Sequence, residues 1–186
     1  PSGKKYHTYK NIFNNFPILL NYFFFYLWPI FILEIRETGV INFLNKIAKS
    51  FIFIFSFFLL LNFTGYFSYL SDFSYGGGAI LKIGYLIKDG NNFLFLTTSA
   101  IGFSMIYMFV REDYKKNLIL LLPIFIIFGY PRFIFQDYLE PLIIFLFFLG
   151  IIKTSLTSRL KENVSLISTL YIIYFLSVNL VATYLL

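Results

Sequence analysis

The residues with the greatest chemical capacity lie in one stretch, YPRFIFQDYLEP, residues 130 to 141. Arg132, Gln136, Asp137 and Glu140 fall there, between two hydrocarbon runs. NLILLLPIFIIFG begins at Asn117, and LIIFLFFLGII ends at Ile152. A charge held at membrane depth is costly, so it is paired, solvated or functional. Pro131 and Pro141 bracket the segment. Proline suits a first helical position and disrupts interiors, so RFIFQDYLE reads as a short helix broken at both ends. On a helix, Arg132, Gln136 and Glu140 recur every four residues and share one face. The planar guanidinium of Arg132 then suits a phosphate or pyrophosphate. The alternative is an ion pair of Arg132 with Asp137 or Glu140 that caps a helix bundle. Both readings stand at this point.

A second candidate is SYLSDFSYGGGAILKIGYLIKDGNN, residues 68 to 92. Gly76, Gly77 and Gly78 break any helix. After them Ala79, Ile80, Ile83, Leu86 and Ile87 form an apolar face, with Lys82, Tyr85 and Asp89 opposite. That pattern is too short to span and predicts an interfacial helix over residues 79–88. Flexible glycines at a helix start expose backbone N–H groups, and Lys82 and Lys88 add charge, which suits a lipid phosphate. A plain surface helix with a flexible entry is the other reading. There is no Gly-Lys-Ser/Thr, so this is not a P-loop.

Composition removes other chemistries. The chain has no cysteine and one histidine, His7, so disulfides, thiolate sites and histidine clusters for a metal are excluded. No cofactor is expected. The net charge of +6 is spread over short loops rather than gathered on one face. That favours lipid phosphates over nucleic acid as partners.

These residues need elements to hold them. Only 13% of the chain is charged, about half the share usual in a soluble domain. Six apolar runs recur: 16–33, 51–67, 93–110, the two flanking the 130–141 turn, and 164–186. The fold expected is an all-α, polytopic transmembrane bundle of about six spans plus the interfacial helix. Asn179, inside the last run, is read as an interhelical hydrogen-bonding residue. Trp28, Tyr22 and Tyr26 are placed at membrane interfaces, with a kink at Pro29. The whole of 1–186 reads as one transmembrane domain. Because it opens on PSGKKYHTYK, it is expected to be the C-terminal part of a longer protein.

Alternating spans sort the loops into two sets. Segments 34–50, 111–117 and 153–163 carry Arg36, Lys46, Lys49, Arg111, Lys115, Lys116, Lys153, Arg159 and Lys161. The other set carries Lys4, Lys5, Lys10, Lys82, Lys88 and Arg132. The positive-inside rule assigns the richer set to the cytoplasm, so both candidate segments face outward.

A glycine-containing outer loop, two spans around a short basic loop, and an outer turn with proline, arginine and an aromatic follow in that order. Over residues 51 to 152 this resembles the C-terminal half of polytopic glycosyltransferases of the GT-C type. PRFIFQDYLEP stands where they carry an RY/RF…P element. The resemblance implies a polyprenyl-phosphate-linked sugar as donor and transfer on the outer face, in a bacterial inner membrane. It also implies that the catalytic acidic residue lies upstream, in a large outer loop that this chain does not contain. Arg132, with Lys82 and Lys88, would neutralise the lipid phosphate as negative charge develops on it. Asp137, Glu140 and Gln136 would orient the site. Two other classes compete: a transporter or flippase of lipid-linked or polar solutes, and a non-catalytic membrane subunit. A transporter would show repeats and broken helices in matching positions; no clear repeat is visible, and the second, third and sixth runs lack charges.

Overall fold

The computed structural model describes residues 9–64, 93–129, 139, 141–143, 146–147, 158 and 162–185. Side chains within the helices are described from Asn15 and up to Ser177. Every element among the described residues is a helix. They are α1 (Tyr9–Thr38), α2 (Val40–Phe63), α3 (Phe93–Glu112), α4 (Tyr114–Gly129) and α5 (Val164–Leu185).

Helix α1 is the axis of the bundle, and α2, α3, α4 and α5 all pack on it. Its residues Leu19, Leu20, Phe23, Leu27 and Ile30 are fully enclosed. The helix continues unbroken through Pro17 and Pro29. A proline inside a helix deprives a preceding carbonyl of its donor, and a neighbouring helix can supply another. The carbonyl that Pro29 leaves without its helical donor is that of Phe25; one residue on, the Tyr171 hydroxyl of α5 donates to the carbonyl of Tyr26. The tyrosines expected at an interface are inside instead. Tyr22 and Tyr26 are buried, and Trp28 packs edge-on to Tyr174 with centroids 5.2 Å apart. The partly exposed stripe that α1 keeps runs through Phe24, Trp28 and Ile32.

Helices α1 to α4 alternate in direction. Phe31 of α1 meets Phe43 near the start of α2 and Phe109 near the end of α3, with centroids 5.9 and 5.6 Å apart. At the opposite end, Phe16 meets Phe58 of α2 and Phe125 of α4, and Phe55 meets Phe93 of α3.

Two connectors expected as loops are helical. Residues 34–50 continue α1 and begin α2, with Gly39 as the sole break. Gly39 sits at φ 80°, ψ 154°, a region open essentially to glycine alone. Likewise REDYKKN is helix on both sides of Asp113, whose carboxylate oxygen accepts from the Lys116 N–H across 3.4 Å. Hydropathy marks where a helix is apolar, not where its hydrogen bonding stops.

The surface is apolar and the interior carries the polar ties. On α2, Ile41, Ile52, Phe53, Leu60 and Phe63 are exposed, as are Ile119, Ile126 and Ile127 on α4 and Ile172, Ile173 and Leu176 on α5. Asn15, Asn21, Glu34, Ser99, Ser104 and Asn117 are buried. Helices α1, α2 and α3 are long and apolar enough to cross a membrane, which is compatible with an integral membrane protein.

Candidate functional site

Residues Gly76, Gly77, Gly78, Lys82, Lys88, Arg132, Gln136, Asp137 and Glu140 lie outside the described residues. So does the interfacial helix expected over 79–88, and so does the side chain of Asn179. Their flanks are described. The Gly-rich segment is bounded by Thr64, after α2, and by Phe93, which opens α3. The 130–141 motif begins immediately after Gly129, the last residue of α4.

These flanks share one end of the bundle. The Phe55–Phe93 contact holds the last part of α2 beside the start of α3. The buried Asn15 amide of α1 donates to the Gly129 carbonyl across 2.9 Å. That bond ties the start of α1 to the Gly129 end of α4. Arg132 follows three residues later in the sequence.

Polar contacts lock α1 to α3 at that end. The Asn21 amide donates to the Phe95 carbonyl and to Ser99 Oγ, each at 3.0 Å. Ser99 Oγ lies 2.9 Å from the carbonyl of Pro17 and 2.7 Å from that of Phe95, so its proton can serve either. Such bonds between membrane helices contribute about 0.6–2 kcal/mol each. Close approach is possible because α3 carries glycine at 102. A Cβ there would meet the Leu20 carbonyl oxygen at 2.0 Å.

The opposite end carries charge. Lys46 Nζ of α2 is paired at 2.5 Å with Glu34 Oε1 of α1, whose side chain is nearly buried. Asn117, fully enclosed, donates to the Phe109 carbonyl across 2.8 Å and so ties the α3–α4 corner together. Asn15, Asn21 and Asn117 were not singled out from sequence, although the argument applied to Asn179 reaches them. An amide inside an apolar run needs a partner.

Between α1, α3 and α4 lies an open cavity of about 500 Å³. Leu20 and Phe16 form its floor, Phe103 and Tyr107 one wall, and Leu118 and Phe125 the other. Arg111 and Tyr114 stand at one end. No group of acidic, histidine or cysteine side chains able to hold a metal occurs among the described residues. No protein-family model, curated protein or solved structure matches the chain.

Proposed function

We propose that the chain is a six-span domain that holds the polyprenyl-phosphate sugar donor of a GT-C-type glycosyltransferase, in a bacterial inner membrane. The observation that carries this reading is the shared end of the bundle. Thr64 and Phe93, the described residues on either side of the glycine-rich segment, and Gly129, which precedes the Arg132 motif, stand at that end. They lie away from Arg36, Lys46, Arg111, Lys115 and Lys116. A lipid phosphate at a bilayer surface needs cations and N–H donors converging at one depth, with hydrocarbon beside them. The exposed apolar face of α4 provides that hydrocarbon for the prenyl chain.

In this reading Arg132 binds the phosphate bidentately, and Lys82 and Lys88 add charge. The glycines at 76–78 allow backbone N–H groups to approach the phosphate oxygens. Asp137, Glu140 and Gln136 orient the guanidinium. As the sugar departs, charge grows on the bridging phosphate oxygen, and cations fixed beforehand stabilise it.

Donor recognition is tested by comparing a polyprenyl phosphate with the matching polyprenol on the chain in nanodiscs. The phosphate is expected to bind about tenfold tighter or better, since a hydrogen bond to a charged group contributes about 1.5–3 kcal/mol. Equal retention of the two lipids would sink the reading.

Orientation is tested separately. The chain has no cysteine, so single cysteines can be introduced at 77 and 115. An impermeant maleimide added to intact cells should label position 77 and not 115. The reverse pattern would invert the topology and with it the site.

A further inference from the structure

We propose that the cleft between α1, α3 and α4 binds one acyl chain of an anionic phospholipid, with Arg111 receiving the headgroup phosphate. This proposal does not depend on the donor reading.

The cleft is a bilayer-facing feature. Tyr107 and Leu122 on its rim are exposed, while Leu20 at its floor is fully buried. The exposed face of α4 beside it is Ile119, Ile126 and Ile127, so what enters comes from hydrocarbon rather than water. Its size selects a single chain. A methylene fills about as much space as a water molecule, roughly 30 Å³ in the liquid, so the approximately 500 Å³ present takes one acyl chain and not two. Its length selects one leaflet. Along α4 it runs from Tyr114 to Phe125, about 17 Å at roughly 1.5 Å per residue. That is close to half of a hydrocarbon core of about 30 Å.

Charge selects the headgroup. Arg111 is exposed at the cleft's end. Among the described residues the ion pair found is Lys46–Glu34, and Arg111 has no carboxylate partner there. Lys115 and Lys116 follow on the first turn of α4. The acidic neighbours are Glu112 and Asp113. Asp113 accepts the Lys116 backbone N–H, and Glu112 is engaged in a contact of its own. A guanidinium at the end of a hydrocarbon slot one leaflet deep matches a phosphate at the end of an acyl chain. Tyr107 and Tyr114 flank it with aromatic rings of the kind that settle at headgroup level.

The test uses the whole chain in vesicles of phosphatidylcholine with a minor share of phosphatidylglycerol. Lipid retained after mild detergent extraction is quantified by mass spectrometry. Wild type should retain phosphatidylglycerol above its bulk share. Arg111→Gln should lower that enrichment about fivefold, the equivalent of about 1 kcal/mol for one basic residue at an anionic surface. Arg111→Lys should keep most of it. Leu118→Trp, which fills the slot while leaving every charge in place, should lose the retained lipid of both kinds. Unchanged enrichment in Arg111→Gln, or full retention in Leu118→Trp, would overturn the proposal. So would a Lys115→Gln, Lys116→Gln double variant that alone abolishes the preference. Should Arg111→Gln fail to fold, Leu118→Trp decides.

Discussion

Gly102→Ala is expected to lower the stability of the bundle markedly. The new Cβ would lie 2.0 Å from the Leu20 carbonyl oxygen, 2.9 Å from its carbon and 3.2 Å from Phe24 Cβ. The first two are backbone atoms of the central helix, so no rotamer change relieves the clash. Helices α1 and α3 must separate. Separation stretches the Asn21–Phe95, Asn21–Ser99 and Ser99–Pro17 contacts one turn away. Overpacking alone costs about 1–3 kcal/mol, occasionally more, and the weakened hydrogen bonds add to it. Ser104→Ala on the same helix is the control. It removes a hydroxyl that bonds only the carbonyl of Ala100 one turn back and adds no volume. Thermal unfolding in one detergent should show a clear loss for Gly102→Ala and little for Ser104→Ala. Equal stability of the two would contradict the close α1–α3 crossing.

The second large effect concerns Arg132. Under the proposed donor reading, Arg132→Gln should remove most polyprenyl-phosphate binding while leaving a folded, expressed protein. Losing one charge-assisted bidentate contact to a phosphate corresponds to about 1.5–3 kcal/mol, or roughly ten- to a hundredfold. Arg132→Lys should fall between, because an ammonium keeps the charge and loses the fork. Asp137→Asn and Glu140→Gln separate this from a structural pair. Were Arg132 present to bind those carboxylates, they and both arginine variants would lower stability together. Under the binding reading the carboxylate variants weaken lipid-phosphate binding less than Arg132→Gln does.

The helical class was legible because crossing a bilayer demands about twenty apolar residues in succession. The runs at 93–110 and 164–186 coincide with α3 and α5 to within a few residues. Helix ends were not legible. Glu34, Arg36, Lys46 and Lys49 made residues 34–50 look like a loop. Yet Glu34 is buried against Lys46, and both stay helical. A paired charge and an unpaired one read alike in a hydropathy profile. The interior of the bundle was hidden for a related reason. Tyr22, Tyr26, Asn15 and Asn21 acquire their roles from α1 being surrounded, which depends on how helices cross and not on any local pattern. The α1–α3–α4 cleft belongs to the same category: it lies between three helices, and its charged end stands at the corner around Asp113. The phosphate-binding candidates rest on local chemistry, namely charge spacing, proline brackets and a glycine run. Those signals are visible in sequence without any knowledge of the packing.

The central claim is that an anionic lipid phosphate binds at Arg132. The most direct measurement is the affinity of a polyprenyl phosphate for wild type and for Arg132→Gln, with the unfolding temperature of each recorded in the same nanodiscs. The account predicts at least tenfold weaker binding in the variant at an unchanged unfolding temperature. Wild-type affinity in an Arg132→Gln protein that is equally stable would contradict it.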